Sequence, residues 1–489
     1  MGASHMEDKE IKNIAFSGAI WKFGERIIAQ TVSLFVSIVL ARLLSPKDYG
    51  VVGIVTIFFA FANVLISGGL NTALIQKKNA DIDDYSTTLC TCIAFSLIAY
   101  FILFFAAPFI SNLYHEELLI PVIRVMGLAL PITAAKSIAC AYVSSTLQFR
   151  KFFYATIVGT LFSAVIGITM AYSGWGVWSL ITQQLSNTII DTIILYAVTR
   201  VPLKLSFKIE RLKYLFNYGS KILVASLISA IYDEINPLIV GIKFSTADLS
   251  FYTKGKTFPK YLSYSMNETI SSVLFPVMAK FQDNKTLLLS YTRRFIKTSS
   301  FIVFPIMIGF FAVSDNFISV VLTDKWIGAS IYIKIFCVPF MFDLVCTGNL
   351  QTIRAMGRSD LVLKMEILKK TLYFAVIIVF IFFSKSPVTL ALTSLITTAI
   401  AMIVNVVPNV KLIDYKIKHQ VLDLIPNLML SSIMGALVYL MNNISINKLV
   451  LLFIQVVCGG IIYIILSVIT KNESFNYVFH TIKVRFINK

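Results

Sequence analysis

The chain has 489 residues, of which 57% are hydrophobic and only 14% are charged. Soluble globular domains are typically about 45–50% apolar, so this composition excludes an ordinary soluble protein. The net charge of +18 does not require a nucleic-acid partner, because membrane proteins concentrate Lys and Arg in short cytoplasmic loops, where these residues also attract anionic lipid.

Apolar runs of about 20 residues recur along the whole chain, and each is long enough to cross ~30 Å of hydrocarbon. They predict an all-α polytopic membrane protein with 14 transmembrane helices, at 14–41, 50–72, 86–110, 117–146, 153–173, 176–199, 214–242, 250–278, 298–320, 327–353, 365–384, 387–410, 421–441 and 447–470. Residues 1–5 are predicted to be an expression-tag scar. The mixture of aromatic and basic residues at 471–489 predicts a cytoplasmic amphipathic helix on the membrane surface.

The distribution of Lys and Arg predicts the orientation of these helices. When the amino terminus is placed in the cytoplasm, the termini and the cytoplasmic loops hold 26 of the 43 Lys and Arg residues, and the outer loops hold 6. This asymmetry is the positive-inside pattern, so we predict that both termini are cytoplasmic.

Two short motifs indicate an internal repeat. Residues 44–50 (LSPKDYG) follow the first predicted helix, and residues 244–250 (FSTADLS) follow the seventh, with a Ser and an Asp in register. We therefore predict a lobe of six helices at 6–213, a second at 214–414, and two extra helices at 415–470. Because six is even, the lobes share an orientation, and a substrate would bind in a central cavity between them.

The remaining 11 Lys and Arg residues lie inside the predicted spans, where a charge at the helix centre costs at least ~2.5–3.5 kcal/mol. Several recur at spacings of three and four with other polar residues, so they form polar stripes that must face something other than lipid. Cation-rich stripes favour an anionic substrate, and the candidate substrate-binding residues are Arg26, Lys22, Lys136, Lys221, Lys260, Lys256, Gln30 and Asn267. The candidates for charge balance or ion coupling are Glu25, Asp233, Glu234, Glu268, Asp191 and Asp343.

Some of these charges have a structural alternative. Paired charges could lock helices together, long side chains near helix ends could extend to the headgroups, and charges three residues apart could form a pair on one helix face. The first class is Glu25 with Arg26 and Lys221 with Asp233 or Glu234; the second is Arg124, Lys254 and Lys334; the third is Glu366 with Lys369 and Lys370.

Other chemistry is scarce in the sequence. All six cysteines fall in predicted spans without metal-ligand spacing, which predicts apolar packing rather than a metal site. There is no glycine-rich loop followed by Lys and Ser or Thr, so an ATP-driven pump is disfavoured. We predict no catalytic residues and no cofactor.

Four stretches carry a resemblance to a known family: Gly18-Ala19-Ile20-Trp21, residues 40–50 (LARLLSPKDYG), residues 273–283 (VLFPVMAKFQD) and Asp324-Lys325-Trp326. Through them the chain resembles the polysaccharide transporter branch of the multidrug/oligosaccharidyl-lipid/polysaccharide (MOP) exporters, the Wzx-type flippases, over about 14–415. The resemblance implies fourteen helices in two lobes, a cavity that opens alternately to each side, and a lipid-linked oligosaccharide substrate, typically carried on undecaprenyl diphosphate.

We therefore expect a flippase of the bacterial inner membrane that moves an undecaprenyl-diphosphate-linked oligosaccharide, a repeat unit of O-antigen, capsule or exopolysaccharide, to the outer leaflet without chemical conversion. H⁺ or Na⁺ coupling is an open alternative, and glycan polymerase or assembly proteins are candidate partners beside membrane lipids. Three rivals remain. A lipid II flippase is hard to separate by sequence, a multidrug cation antiporter is disfavoured by the excess of embedded bases, and a membrane glycan polymerase or ligase is disfavoured by the short outer loops.

Overall fold

The computed structural model describes Gly24, 28–67, 69–77, 80–146, 148–204 and 206–487; within these ranges it describes no side chain for 67, 265, 268–273, 275–276 and 481–487. The described residues are helices joined by short turns, and no strand occurs among them. An isolated helix satisfies its own backbone hydrogen bonds, which is the condition for crossing lipid.

Within the described residues each predicted span, the first from residue 28 onward, overlaps one or two helices. These are α1 (Ile28–Leu43), α2 (Pro46–Ser67), α3 (Leu70–Gln76), α4 (Ile82–Tyr114), α5 (Leu119–Gly127), α6 (Ala129–Ser145), α7 (Arg150–Tyr172), α8 (Val177–Thr199), α9 (Ile209–Lys243), α10 (Thr246–Ala279), α11 (Lys285–Val321), α12 (Ser330–Ala355, preceded by a 3₁₀ turn at Asp324–Ala329), α13 (Ser359–Phe383), α14 (Pro387–Leu412), α15 (Ile417–Leu440), α16 (Lys448–Ile469) and α17 (Glu473–Ile487). Within the described ranges, 10 segments are long and apolar enough to cross a bilayer. The protein is an all-α polytopic membrane protein, and the count of fourteen spans stays a prediction.

The chain divides into two compact units, one ending at Ser250 and the other beginning at Phe251. In the first unit α7 pairs with α8, α4 packs on α5 and α6, and α9 packs on α2 and α3. In the second unit α11 packs on α12, α15 and α16, and α14 lies against α12 and α13. The predicted lobe boundaries at 213/214 and 414/415 stay a prediction.

The two repeat motifs form the same cap at the start of a helix. At the start of α2, Ser45 Oγ donates a hydrogen bond to Asp48 Oδ2 at 2.6 Å and accepts one from the Asp48 backbone N–H at 3.2 Å. At the start of α10, Ser245 Oγ and Asp248 make the same two bonds at 2.6 and 3.1 Å. Each is a capping box, in which the first side chain and the one three residues later satisfy free backbone N–H groups.

The predicted surface helix at the carboxyl end corresponds to α17. Its first aromatic side chain, Phe475, packs on α11 of the same unit: its ring centroid lies 6.2 Å from that of Phe301. The Phe479 ring stacks on Phe475 with centroids 5.8 Å apart. This end of α17 is therefore docked on α11, and its position on the inner leaflet stays a prediction.

Candidate functional site

A polar pocket lies along α9 in the first unit. It has a volume of about 540 Å³, and its lining includes Lys221, Ser226, Ser229 and Asp233 of α9 together with Val64 of α2. The α9 residues recur at helical spacing, so their side chains share one side of the helix. The pocket thus brings two of the predicted charged residues to the same surface as two hydroxyl groups.

The two charges in this pocket do not neutralise each other. Lys221 and Asp233 are both exposed, and a separation of twelve positions corresponds to about 18 Å along the helix axis. The alternative of a buried Lys221–Asp233 pair is therefore wrong. Glu234, a neighbour of Asp233 in the sequence, is half-buried. Because the two charges are separated and exposed, Lys221 is available to an anionic ligand.

Two backbone contacts hold α2 and α3 against the α9–α10 segment. A Cβ atom built at Gly50 would lie 1.9 Å from the carbonyl oxygen of Thr246, and one built at Gly69 would lie 2.0 Å from the carbonyl oxygen of Gly219. Neither contact leaves room for a side chain. Val64, which lines the polar pocket, lies between Gly50 and Gly69 in the sequence. One backbone contact therefore lies on either side of the pocket along this part of the chain.

Lys136 and Asp191 form an ion pair in the first unit. The Lys136 Nζ lies 2.5 Å from Asp191 Oδ2, and the two side chains are 31% and 6% exposed. One turn earlier on α8, Asn187 Nδ2 donates a hydrogen bond to Ser163 Oγ of α7 at 3.1 Å. The polar side of α8 thus contacts α6 and α7, and the charge of Lys136 is matched within the protein.

The second unit contains a carboxylate that is held by neutral groups. Asp343 of α12 accepts hydrogen bonds from Asn267 Nδ2 at 2.9 Å and Ser263 Oγ at 3.3 Å, both from α10. In the part of the chain that the structure describes, no basic group lies within 4 Å of this carboxylate. On α10, the helix that also carries Ser263 and Asn267, Lys256 is half-buried and Lys260 is exposed. Asp343 and Asn267, predicted separately from the sequence, therefore form one polar cluster.

The remaining predicted residues are placed only in part. Lys22, Glu25 and Arg26 lie outside the described residues, and Glu268 lies on α10 without a described side chain. Gln30 is half-buried on α1.

Most of the charged residues for which a structural role was the alternative to substrate binding contact other side chains of the protein. Lys334 Nζ lies 2.7 Å from Asp315 Oδ2. The guanidinium of Arg124 lies 4.4 Å from the centre of the Phe104 ring, a distance at which a cation is attracted to the ring face. The third class, pairs on one helix face, is confirmed for Glu366 and Lys369, whose charged atoms lie 2.6 Å apart. The Lys254 ammonium lies 6.0 Å from the centre of the Trp326 ring.

Three further acidic residues lie inside predicted spans. Glu117 begins the span 117–146, and Asp315 and Asp423 lie in the spans 298–320 and 421–441, so the sequence alone contained the signal for them. Asp423 accepts from Arg293 Nε at 2.8 Å and lies 3.3 Å from Lys297 Nζ. The excess of embedded bases is therefore smaller than the candidate acids implied, and the charge argument against a cation antiporter is weaker.

Comparison with known proteins identifies the family. The sequence model of the polysaccharide biosynthesis protein family matches residues 39–331, more than half of the chain. The lipopolysaccharide biosynthesis protein WzxC of Escherichia coli (strain K12) is 21% identical over 377 residues, which cover 76% of this chain and 75% of that protein. The succinoglycan biosynthesis transport protein ExoT of Rhizobium meliloti (strain 1021) is 20% identical over 59% of this chain, and the match spans 58% of ExoT. The teichuronic acid biosynthesis protein TuaB of Bacillus subtilis (strain 168) is 22% identical, over 62% of this chain and 63% of TuaB.

Solved structures of similar shape agree with the predicted fold. Lipid II flippase MurJ in an inward closed conformation has a TM-score of 0.73 at 16% identity and covers 93% of this chain and 98% of its own. An inward-facing multidrug resistance MATE family transporter of the MOP superfamily has a TM-score of 0.60 at 14% identity, with 81% and 99% covered. At these identities the likeness establishes the fold alone. By its sequence the protein belongs to the polysaccharide biosynthesis protein family, and it shares its fold with MurJ and with the MATE transporter.

Proposed function

We propose that the protein is a flippase that moves an oligosaccharide linked to undecaprenyl diphosphate from the inner to the outer leaflet of the bacterial inner membrane. The match to the polysaccharide biosynthesis family over residues 39–331 carries this proposal. It is supported by two relatives, a polysaccharide transport protein and a lipopolysaccharide biosynthesis protein, and by the shared fold of a lipid II flippase. The reaction is translocation without chemical conversion, both termini lie in the cytoplasm, and glycan polymerase or assembly proteins receive the product.

The polar pocket on α9 has the chemistry that such a headgroup needs. An unpaired charge costs tens of kcal/mol in hydrocarbon by Born estimates, so phosphates and sugar hydroxyls need replacement partners on the way across. Lys221 offers a cation to the phosphates, while Ser226 and Ser229 offer hydroxyls to the sugar. On α10, Lys260 and Tyr264 are both exposed and repeat this combination of cation and hydroxyl. The polyprenyl chain stays in lipid throughout.

The two glycine contacts suit alternating access. The contact of Gly50 with Thr246 lies at the end of α2 predicted to face outward, and the contact of Gly69 with Gly219 lies at the end predicted to face the cytoplasm. In a flippase the inner contact opens to admit the headgroup and the outer contact opens to release it. Outward movement of a negative charge across an inside-negative potential releases ~2.3 kcal/mol per charge per 100 mV.

Asp343 is our candidate for H⁺ or Na⁺ coupling. Its hydrogen-bond donors are neutral, and Lys369, which acts on it electrostatically, is paired with Glu366. Ionisable residues without an ion-pair partner inside membranes commonly carry protons or bind ions. An Asp343→Asn change keeps the size of the side chain and removes the charge. In proteoliposomes it should abolish the dependence of flipping on a pH or Na⁺ gradient; unchanged dependence on both gradients would exclude Asp343 from coupling.

Native mass spectrometry of the full chain with undecaprenyl diphosphate tests the proposed function. Retention of this lipid should fall in Lys221→Gln and remain in Lys385→Gln, a matched change at an exposed lysine in a predicted outer loop. Undecaprenol, which lacks the diphosphate, should not compete. Retention of an organic cation in place of the diphosphate lipid would assign the protein to the cation exporters, and preferential retention of lipid II over other undecaprenyl-diphosphate sugars would assign it to lipid II.

A further inference from the structure

A basic pocket lies in the second unit, where the first turns of α11 meet the start of α17. Its volume is about 630 Å³, and its lining includes Arg293, Arg294, Lys297, Glu473 and Tyr477. The lining combines three cations with five hydroxyl groups and one carboxylate. Phosphate oxygens accept hydrogen bonds from cationic side chains and from hydroxyl groups.

The charges of this pocket do not cancel. Arg293 is bound by both carboxylate oxygens of Asp423 at 2.8 Å, and Lys297 lies 2.6 Å from Glu473 Oε2 and 3.3 Å from Asp423. Arg294 is exposed, and its guanidinium lies 4.5 Å from the centre of the Tyr477 ring. Among the described residues the structure gives Arg294 no carboxylate partner. Three cations thus face two carboxylates, which leaves one positive charge for a ligand.

Hydrogen bonds within the protein position the groups of the basic pocket without a ligand. The Tyr415 hydroxyl donates to Asp423 Oδ2 at 2.7 Å and fixes the carboxylate that holds Arg293. The start of α17 is tied to the rest of the unit, because Asn472 Nδ2 donates to Asn427 Oδ1 at 3.0 Å. A site whose charged groups are already positioned loses less free energy in ordering them when it binds.

An apolar groove begins one turn further along α11. It has a volume of about 500 Å³, and its lining includes Phe301, Pro305 and Val313 of α11, Met434 of α15, and Gly460 of α16. The four residues from Lys297 to Phe301 correspond to about 6 Å, and the twelve from Phe301 to Val313 to about 18 Å. That second length is close to the ~15 Å depth of one leaflet of the hydrocarbon core.

We propose that the basic pocket and the apolar groove together bind one anionic phospholipid of the cytoplasmic leaflet, with its phosphate on Arg294 and an acyl chain along α11. A basic pocket among transmembrane helices on the predicted cytoplasmic side is the known setting for such headgroups. The single unmatched charge suits a phosphodiester rather than a diphosphate, and the groove has the depth of one leaflet, whereas an undecaprenyl chain is far longer. This lipid is retained rather than transported, so the proposal stands apart from the flippase assignment.

The test is native mass spectrometry of the full chain with phosphatidylglycerol and, separately, phosphatidylethanolamine of the same acyl chains. Phosphatidylglycerol should be retained in preference, and Arg294→Gln should weaken its retention about fivefold, the effect of one basic residue near an anionic membrane surface. The matched control is Arg150→Gln, because Arg150 also lies over a tyrosine ring, at 5.6 Å from that of Tyr154, and lies on α7 in the first unit. Equal retention of the two lipids, or no effect of Arg294→Gln, would overturn the proposal.

A substitution in the apolar groove shows whether the phosphate bound in the basic pocket belongs to a phospholipid, to a soluble phosphate or to the transported lipid. Nothing lies within 4 Å of a Cβ built at Gly460, so Gly460→Leu should fold and fill the groove. We expect it to weaken retention of phosphatidylglycerol while Arg294 is intact. If Gly460→Leu has no effect and free glycerol phosphate displaces phosphatidylglycerol, the pocket binds a soluble phosphate instead. If undecaprenyl diphosphate displaces phosphatidylglycerol one for one, the groove belongs to the transported lipid; either outcome refutes the proposal.

Discussion

The contact between Gly50 and Thr246 gives the sharpest prediction. An alanine Cβ at position 50 would lie 1.9 Å from the Thr246 carbonyl oxygen and 2.4 Å from its carbonyl carbon. These are backbone atoms, which cannot rotate away as a side-chain tip can, so the helices must separate. Overpacking of this kind costs typically ~1–3 kcal/mol, which corresponds to a ~5–150-fold shift in a two-state equilibrium. Gly50→Ala should therefore populate the state in which this contact is open.

The matched control is three residues away on α2. A Cβ at Gly53 would lie 3.6 Å from Leu249 Cδ2, which is an ordinary van der Waals distance. Both changes gain the same helix propensity of Ala over Gly, roughly 1 kcal/mol, so their difference isolates the clash. Hydrogen–deuterium exchange of the peptide 244–252 should rise in Gly50→Ala and stay at the wild-type level in Gly53→Ala, and surface glycan export should fall only in the former.

Equal exchange in the two variants would show that the contact is not closed in the membrane and would refute the reasoning. The other end of the same segment provides an independent check. Gly69→Ala would place its Cβ 2.0 Å from the Gly219 carbonyl oxygen, so exchange should rise around Gly219 rather than around Thr246. A rise at both ends in either variant would indicate general destabilisation instead of the opening of one contact.

Three further predictions concern charges. Asp84→Asn should lower the free energy of unfolding by ~3 kcal/mol, because Asp84 is fully buried against Lys77 at 2.6 Å and its loss strands that ammonium; thermal unfolding should show a much smaller loss for Asp83→Asn, whose pair is partly exposed. The hydrogen bond from the backbone N–H of Asp84 holds the pKa of Asp81 below its usual value. The Asp81 carboxylate therefore stabilises the protein fully above its unfolded pKa of ~3.9, and this contribution is lost as the pH falls through the lower folded pKa. The free energies of unfolding of wild type and Asp81→Asn should accordingly converge in that acidic range. Arg26→Ala should abolish glycan export with normal membrane levels, and wild-type surface glycan would count decisively against a role for Arg26.

The sequence determined the features that depend on one helix at a time. Apolar runs of about 20 residues must form helices in lipid, since an isolated helix satisfies its own backbone hydrogen bonds. The capping motifs are equally local, and for that reason Ser45 with Asp48 and Ser245 with Asp248 form the same geometry from two matching stretches of sequence.

Only the tertiary structure decided which charges meet. Lys136 and Asp191 lie 2.5 Å apart although 55 residues separate them in the chain, and Arg293 pairs with Asp423 across 130 residues. Helical spacing gives the side of a helix on which a residue lies, but the neighbour on that side depends on the rotation and packing of every other helix. The sequence therefore identified Lys136 and Lys221 as equivalent embedded cations, and packing made the first a partner of Asp191 and left the second in an open polar pocket.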